Sequence, residues 1–273
     1  MILSGIFYSV ATPIGNLQDI TKRAVDVLSS VDIILCEDTR TSKVLLDKYN
    51  ISTELISYHK FNEQKRTSSI VDMLKEGKNI ALISDAGTPC ISDPGGILLE
   101  ALYDEGIKVV PIPGACAVVS LLSALPRESE PFTFVGFLPR KFEEQKELIE
   151  KYPKENIVFY EAPKRIAKTL LNLGKILGAE RKIAIGRELT KKFEEIKIGT
   201  IGDFAQNYEE NAPKGEFVCM IYGKNEACRD DDSIKIKIKK LKEKNFSDKD
   251  IAIILSQLFD YSKNEIYNLI LNL

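Results

Sequence analysis

The 273-residue sequence has a single histidine, and its five cysteines contain no C-x-x-C pair. One histidine without a cysteine partner pattern is a poor metal site, and no metal centre is expected. Cys36, Cys90, Cys116, Cys219 and Cys228 are scattered and odd in number, which suits a reducing, cytoplasmic compartment and excludes a disulfide framework. No stretch approaches 18 uncharged apolar residues, so no transmembrane helix and no membrane partner are expected. The opening MILSGIFYSVATPIGNLQD lacks a basic start followed by a long apolar run, and no signal peptide is expected. G-x-G-x-x-G and G-x-x-x-x-G-K-[ST] are both missing, which disfavours a NAD enzyme and a P-loop ATPase. Charge of one sign is lacking too: the formal net charge is −2, which argues neither for nor against nucleic acid.

What is present is ordinary globular material, 44% hydrophobic and 29% charged, in a chain long enough for two modest domains. Up to about residue 125, short β-like runs alternate with helical ones. Strands are expected at Ile6–Ala11, Asp32–Cys36, Glu54–Tyr58, Asn79–Ser84 and Ile107–Pro111. Helices are expected at Thr21–Ser30, Thr41–Tyr49, between Asn62 and Gly77, and at Gly95–Glu105 and Ala115–Leu125. Such alternation implies a parallel sheet covered on both faces, with ligands at the carboxyl ends of its strands. A polar, proline-flanked stretch at Pro126–Pro131 is a candidate boundary.

Beyond it, strands are expected at Phe132–Leu138, Asn156–Tyr160, Lys182–Glu188, Glu195–Ile201 and Glu216–Tyr222, with helices at Phe142–Lys151, Lys164–Leu177 and Ile201–Tyr208. The consecutive strands near 182–201 imply an antiparallel pair and a mixed sheet. The chain closes on a helical pair, Ser247–Leu258 and Ser262–Leu271. The expected architecture is α/β: an N-terminal parallel-sheet domain (1–117), a C-terminal mixed-sheet domain (118–225), and a basic linker with a short helical segment (226–273). In that last segment SIKIKIKKLKEK (233–244) carries six lysines and one glutamate. It reads as a solvated helix face or linker, or as a contact for an RNA backbone.

Three loops at the expected ligand edge stand out. SDAGTPCISDPGG (84–96) packs three glycines, two prolines and two aspartates into thirteen residues. Capping by Asp93 explains Asp93 and Pro94, whereas the length and rigidity of Asp85–Pro89 point to a ligand. PIPGACA (111–117) has small residues where a helix begins, for ligand approach or for close packing. ATPIGNLQDIT (11–21) follows the first strand. Polar groups sit on neighbouring strand ends: Glu37, Asp38 and Arg40 after the second, His59 after the third. His59 reads equally as structural or as a substrate contact, and Asp38–Arg40 as a loop ion pair or a site.

In order along the chain, SVATPIGNLQDIT, EDTRTS, SDAGTPCISDPG, PIPGACA, FVGFLPRK, FYEAPKRI, RELT and KGEF resemble the successive motifs of the 16S ribosomal RNA cytidine 2′-O-methyltransferases, within the tetrapyrrole methylase superfamily. The resemblance runs from about Ser9 to Val218. It implies an S-adenosylmethionine-dependent methyltransferase of two α/β domains, with the donor in the cleft between them, and a homodimer acting on the small ribosomal subunit. It places Asp85, Ala86, Gly87 and Thr88 on the donor's ribose and amino-acid part, Cys116 and Ala117 beside it, and Tyr160, Glu161 and Lys214–Glu216 (with Gly215) on its far side. Thr12 and Pro13 of the first loop join this set. Candidates for a base at the ribose hydroxyl are Glu37, Asp38, His59 and Glu161. Arg40, Arg140, Lys164, Arg165 and Arg187 are candidate RNA contacts, each alternatively plain surface charge. The first loop lacks the glycine-rich G-x-G-x-G-D type common elsewhere in the superfamily, which fits the RNA branch. A cobalamin- or sirohaem-pathway methylase, or a ribosome-binding module without catalysis, are the alternatives.

Overall fold

The computed structural model describes residues 4–126, 131–211, 214–223, 231–259 and 261–273. Cys228 and most of the Pro126–Pro131 stretch lie outside the described residues. The chain divides into two compact units, Met1–Gly223 and Lys224–Leu273.

The first unit holds two five-stranded sheets. Strands β1 (Phe7–Val10), β2 (Ile33–Cys36), β3 (Glu54–Ser57), β4 (Ile80–Leu82) and β5 (Val109–Ile112) form one, in the order β3-β2-β4-β1-β5. All its neighbours are parallel, as the strand–helix alternation predicts. Helices α1 (Lys22–Ser30), α2 (Thr39–Lys48), α3 (Glu63–Lys75), α4 (Gly96–Asp104) and α5 (Ala117–Ser123) link them. Successive strand residues point to opposite faces. Thus Ile33, Leu35, Ile80 and Leu82 pack with Leu74 and Leu98 on one face, while Ile34, Cys36, Ala81 and Ile83 pack with Ala24 and Leu28 on the other.

The second sheet, β6-β7-β10-β8-β9, is mixed. It comprises β6 (Phe132–Phe137), β7 (Asn156–Glu161), β8 (Lys182–Arg187), β9 (Glu195–Thr200) and β10 (Phe217–Ile221). Only β6 and β7 run parallel, and β8 and β9 are the expected antiparallel pair. Helices α6 (Phe142–Glu150), α7 (Ile166–Leu177) and α8 (Ile201–Glu210) belong to this half. Its pleat again divides the side chains. Phe159, Ile185 and Cys219 pack with Leu170 and Phe204. Val158, Ala184, Val218 and Met220 face the other way and pack with Val118, Leu121 and Leu122 of α5 and with Ile14. Helix α5 and the loop after β1 therefore join the two lobes.

The second unit is three helices: α9 (Asp231–Glu243), α10 (Asp248–Leu258) and α11 (Lys263–Leu271). Ser247 and Ser262 cap the last two, Ser262 in a reciprocal box with Glu265. The lysine-rich stretch is helical rather than a bare linker. Ile234 and Ile238, one turn apart, are buried with Ile251, Leu255 and Ile266, while Lys239, Lys240, Lys242 and Lys244 are exposed.

Candidate active site

Strands β1 and β4 are neighbours, yet β1 continues through α1 on one face of the sheet and β4 through α4 on the other. Where connections diverge in this way a crevice opens at the carboxyl ends of the strands. The two turns that leave here are tied together. Thr12 and Gly87 exchange backbone hydrogen bonds of 2.8 and 3.1 Å. The buried Thr12 hydroxyl donates to the Ser84 carbonyl at 3.1 Å. The turn after β5 closes on the same place, since the Thr88 hydroxyl donates to the Ala115 carbonyl at 3.3 Å. The loops singled out in the sequence therefore converge.

The β4–α4 turn depends on backbone that few residues adopt, with φ of +82° at Gly87, +64° at Cys90 and +138° at Gly95. A Cβ on Gly95 would lie 2.2 Å from the Cys90 sulfur, so position 95 accepts only glycine without rearrangement. The turn's exit corrects the expected cap. Gly95, not Asp93, is the N-cap of α4, and it has no side chain to offer. The carboxylate comes from α3: Oε1 of the buried Glu63 accepts from Gly95 N at 2.9 Å and from Ile97 N at 3.2 Å. A carboxyl group that far inside the protein is tolerable because backbone amides at the helix start take up its acceptor oxygen.

An open cleft of 610 Å³ lies beside these turns. Its lining includes Thr12, Pro13, Ile14 and Gly15 after β1, Asp38, Arg40, Thr41, Val44 and Leu45 from the α2 region, Asp85 and Ala86 after β4, and Lys191 and Glu216 from the second lobe. Asp38 caps α2 and holds Arg40 at 2.7 Å, an exposed pair in which the Arg40 hydrogen bonds draw the Asp38 carboxyl down to about 2. The neighbouring carboxyls go the other way. Glu37, half-buried, is raised by loss of water and by the charges of Asp93 and Asp85. Asp85 stands at the cleft mouth but is also raised, first by loss of water, with the charge of Asp38 adding to it and the Asp38 N–H at 3.3 Å opposing it. Asp93 follows the same pattern, raised by burial and by Asp85. This edge gathers negative charge, and among the described residues Arg40 is the one cation that forms an ion pair with it.

On the far wall the Lys191 ammonium sits 2.9 Å from both Glu188 Oε1 and Glu216 Oε2. A Cβ on Gly215 would meet the Glu188 side chain at 2.5 Å, and one on Gly15 would meet Lys191 at 2.4 Å. The lobes also touch through Asn16 N, which donates to the Thr190 hydroxyl at 3.1 Å. Behind this wall Tyr160 packs edge-on against Phe134 and Phe137 beside Cys116 and Ala117, with its hydroxyl pushed up by burial and by Cys116.

The remaining sequence candidates, Glu37, Gly87, Thr88, Cys116, Ala117, Tyr160 and Gly215 included, are not among the residues that line the cleft. Both ring nitrogens of His59 are engaged within its own turn, Nδ1 accepting from Phe61 N at 3.2 Å and Nε2 facing the Asn62 amide at 3.3 Å. Asn62, expected as a side-chain cap of α3, instead accepts from His59 N. The Glu161 side chain is sealed from solvent. It takes Thr169 Oγ1 at 2.6 Å, Ala162 N at 2.8 Å and Arg165 Nε at 3.1 Å. Arg165 also donates to the Leu138 and Pro139 carbonyls, which ties α7 to the end of β6. Arg187 binds Glu195 and the Lys214 carbonyl, and Arg140 and Lys164 are exposed. Ile14, Gly15, Leu17, Thr41, Val44, Leu45 and Lys191 line the cleft without having been site candidates in the sequence, and neither was Glu63, which holds the start of α4. The only signals for Lys191 and Glu63 were their adjacency to RELT and to the His59 loop. Among the described residues no group of three or more His, Cys, Asp or Glu could hold a metal ion, and no helix is long and apolar enough to cross a membrane.

The sequence profile of the Tetrapyrrole (Corrin/Porphyrin) Methylases matches residues 7–205. The chain belongs to this family. Its relatives include a Haemophilus influenzae protein named ribosomal RNA small subunit methyltransferase I, 43% identical over 97% of this chain and 96% of its own length. Proteins of the same name from Bacillus subtilis and from a Synechocystis species are 48% identical over 81% of this chain and 76% of theirs, and 40% identical over 98% of both. Among solved structures, a cobalt precorrin-4 methyltransferase superposes with a TM-score of 0.61 at 18% identity, covering 80% of this chain and 94% of its own. A uroporphyrin-III C-methyltransferase from Thermus thermophilus gives 0.56 at 20%, covering 79% and 94%. These tetrapyrrole methylases share the two-sheet architecture, while the closer sequence likeness is to the RNA-modifying proteins.

Proposed function

We propose that this methylase transfers a methyl group from S-adenosylmethionine to the 2′-hydroxyl of a cytidine ribose in 16S rRNA of the small ribosomal subunit. The reading is carried by a two-lobed cleft lined by the turns after β1 and β4, to which the turn after β5 is tied through Thr88 and Ala115, in a chain that aligns end to end with proteins named for small-subunit rRNA methylation.

The residues at the cleft fit such a donor. Among the described residues the Asp85 carboxylate receives one protein hydrogen bond, the long one from Asp38 N, and it keeps acceptor capacity for a ribose diol. Ala86 lines the cleft, and Gly87, Cys116 and Ala117 in the turns beside it are small enough to let a ligand reach the backbone, while Thr12 spends its hydroxyl holding the β4–α4 turn in place. Bound there, S-adenosylmethionine would supply an electrophilic methyl on a sulfonium. The chain's own part is alignment and exclusion of water, because a sulfonium loses its charge during transfer and gains nothing from anionic or cationic contacts at sulfur.

Of the four carboxylate and imidazole candidates, Glu37, which precedes the cleft-lining Asp38 in the chain, suits proton removal from the ribose hydroxyl. Its pKa is raised by its surroundings, whereas Asp38 is held acidic by Arg40, Glu161 is sealed by its partners and His59 is tied into its turn. Glu161 and Arg165 then position the second lobe rather than touch substrate. Arg40, 90% exposed at the cleft rim, is the cation placed to meet an RNA phosphate.

The deciding experiment is transfer of tritiated methyl groups from S-adenosylmethionine to small subunits that lack the modification, followed by mapping of the labelled nucleotide. Label on a cytidine 2′-oxygen is the expected result. Label on a precorrin with none on subunits would replace this reading with the tetrapyrrole one. Reversing charge at the exposed Lys239 and Lys240 of α9 and at Lys244 just after it is expected to weaken subunit binding roughly tenfold and to flatten its salt dependence. Donor affinity measured by calorimetry should stay unchanged in that variant, and a parallel loss of both would indicate misfolding.

A further inference from the structure

Phe193 is 65% exposed in the connection between β8 and β9, and its ring joins none of the hydrophobic clusters among the described residues. A lone exposed phenylalanine needs no explanation. The construction of the segment that carries it does. Strands β8 and β9 pair up to Arg187 and Glu195, so residues 188–194 span a gap that a two-residue hairpin can close. Glu188 and Thr190 adopt left-handed φ of +51° and +67° although neither is glycine. Such backbone persists where its surroundings over-determine it. Here Thr190 N donates to Glu194 Oε2 at 2.6 Å, Lys191 N to the Glu188 carbonyl at 3.0 Å, and Glu194 N to the Lys191 carbonyl at 3.1 Å. The Thr190 hydroxyl reaches Asn16 of the first lobe, and Lys191 turns inward to line the cleft between Glu188 and Glu216. A pinned, strained turn thus presents a ring just two positions from a cleft wall. The Lys192 ammonium stands 5.5 Å from the centroid of that ring.

We infer that Phe193 is a stacking platform for an unpaired RNA base adjoining the nucleotide that enters the cleft, with Lys192 on the neighbouring phosphate; this rests on small-subunit RNA being the substrate. Every base has a π-face that an ordered aromatic can support, and single-stranded RNA is held by this combination of aromatic faces and cations. Splaying the flanking base onto Phe193 would present the target ribose to the cleft.

Steady-state methyl transfer to small subunits lacking the modification tests this in wild type and in Phe193→Ala, Phe193→Leu and Phe193→Tyr. The alanine and leucine variants are expected to raise KM for subunits about tenfold, with kcat, donor affinity and melting temperature unchanged, while tyrosine stays near wild type. Leucine keeps the apolar bulk without the ring, so the split between leucine and tyrosine reads stacking itself. An alanine variant indistinguishable from wild type, or a tyrosine variant that falls with leucine, overturns the platform while leaving the substrate assignment intact. Wild-type protein that labels no subunits overturns the substrate assignment and the platform with it.

Discussion

Replacing Asp85 by alanine is expected to weaken S-adenosylmethionine binding at least tenfold, about 1.4 kcal/mol, by isothermal calorimetry. The carboxylate stands where the turns after β1, β4 and β5 converge, with a single long bond, from Asp38 N, among the described residues. It stabilises little inside the protein and has most of its acceptor capacity to give to a ligand. The fold should tolerate the loss well. Burial raises Asp85 in the folded chain, so the folded state binds its proton more tightly than the unfolded one. Stability from this group is therefore greatest at acid pH and falls as pH rises through the window between the ordinary aspartate value and the raised one. At neutral pH the charged carboxylate is a net burden, next to Glu37 and Asp93, which share the same cause of shift. Asp85→Asn should melt no lower than wild type while losing donor affinity nearly as fully as alanine. In the wild type, donor affinity should begin to fall at a pH above the usual aspartate range as Asp85 takes up its proton. An Asp85→Asn variant that binds donor normally would remove this residue from the site.

Asp85 could be found in the sequence because its surroundings are local: a glycine- and proline-rich turn after an apolar strand has few reasons to be long and rigid. The same holds for the two sheets. Strand–helix alternation and the adjacent strands near 182–201 contain the parallel and mixed arrangements directly, because side-chain periodicity reports which faces are buried. What could not be read is whatever depends on contacts distant in the chain or on side-chain direction. Local sequence assigns the cap of α4 to Asp93, two residues before the actual N-cap, but the carboxylate comes from Glu63, 32 positions before Gly95. Glu161 stands in a family-like motif, and nothing in that motif says that its carboxylate turns inward to Thr169 and Arg165. Lys191 reaches the cleft only because Glu188 and Thr190 adopt left-handed backbone without the glycine that would advertise it. Val44 and Leu45 look like core positions of an amphipathic helix, and yet they line the cleft, with Val44 63% exposed.

Glu63 carries the largest expected effect on stability and acts on the donor from a distance. Its buried carboxylate is the only side-chain acceptor at the start of α4 among the described residues. Glu63→Ala leaves the Gly95 and Ile97 amides unpaired in a closed space, where each orphan donor carries its own desolvation cost, so a loss of about 2 kcal/mol is expected. In a protein of this size that corresponds to a fall in melting temperature of roughly 4–8 °C. The turn it anchors has no slack to absorb the change, since Gly95 lies against Cys90 and Leu82, and Cys90 is itself in left-handed backbone. Loosening the exit of the turn should therefore reach Asp85–Thr88 and weaken donor binding as well. Glu63→Gln separates the two consequences. It keeps a carbonyl oxygen for the amides and gives up only the charge, so donor affinity should recover most of the way while melting stays between alanine and wild type. If glutamine melts as low as alanine, the carboxylate serves the Glu63 end of α3 rather than the start of α4, and the coupling between cap and donor turn is wrong.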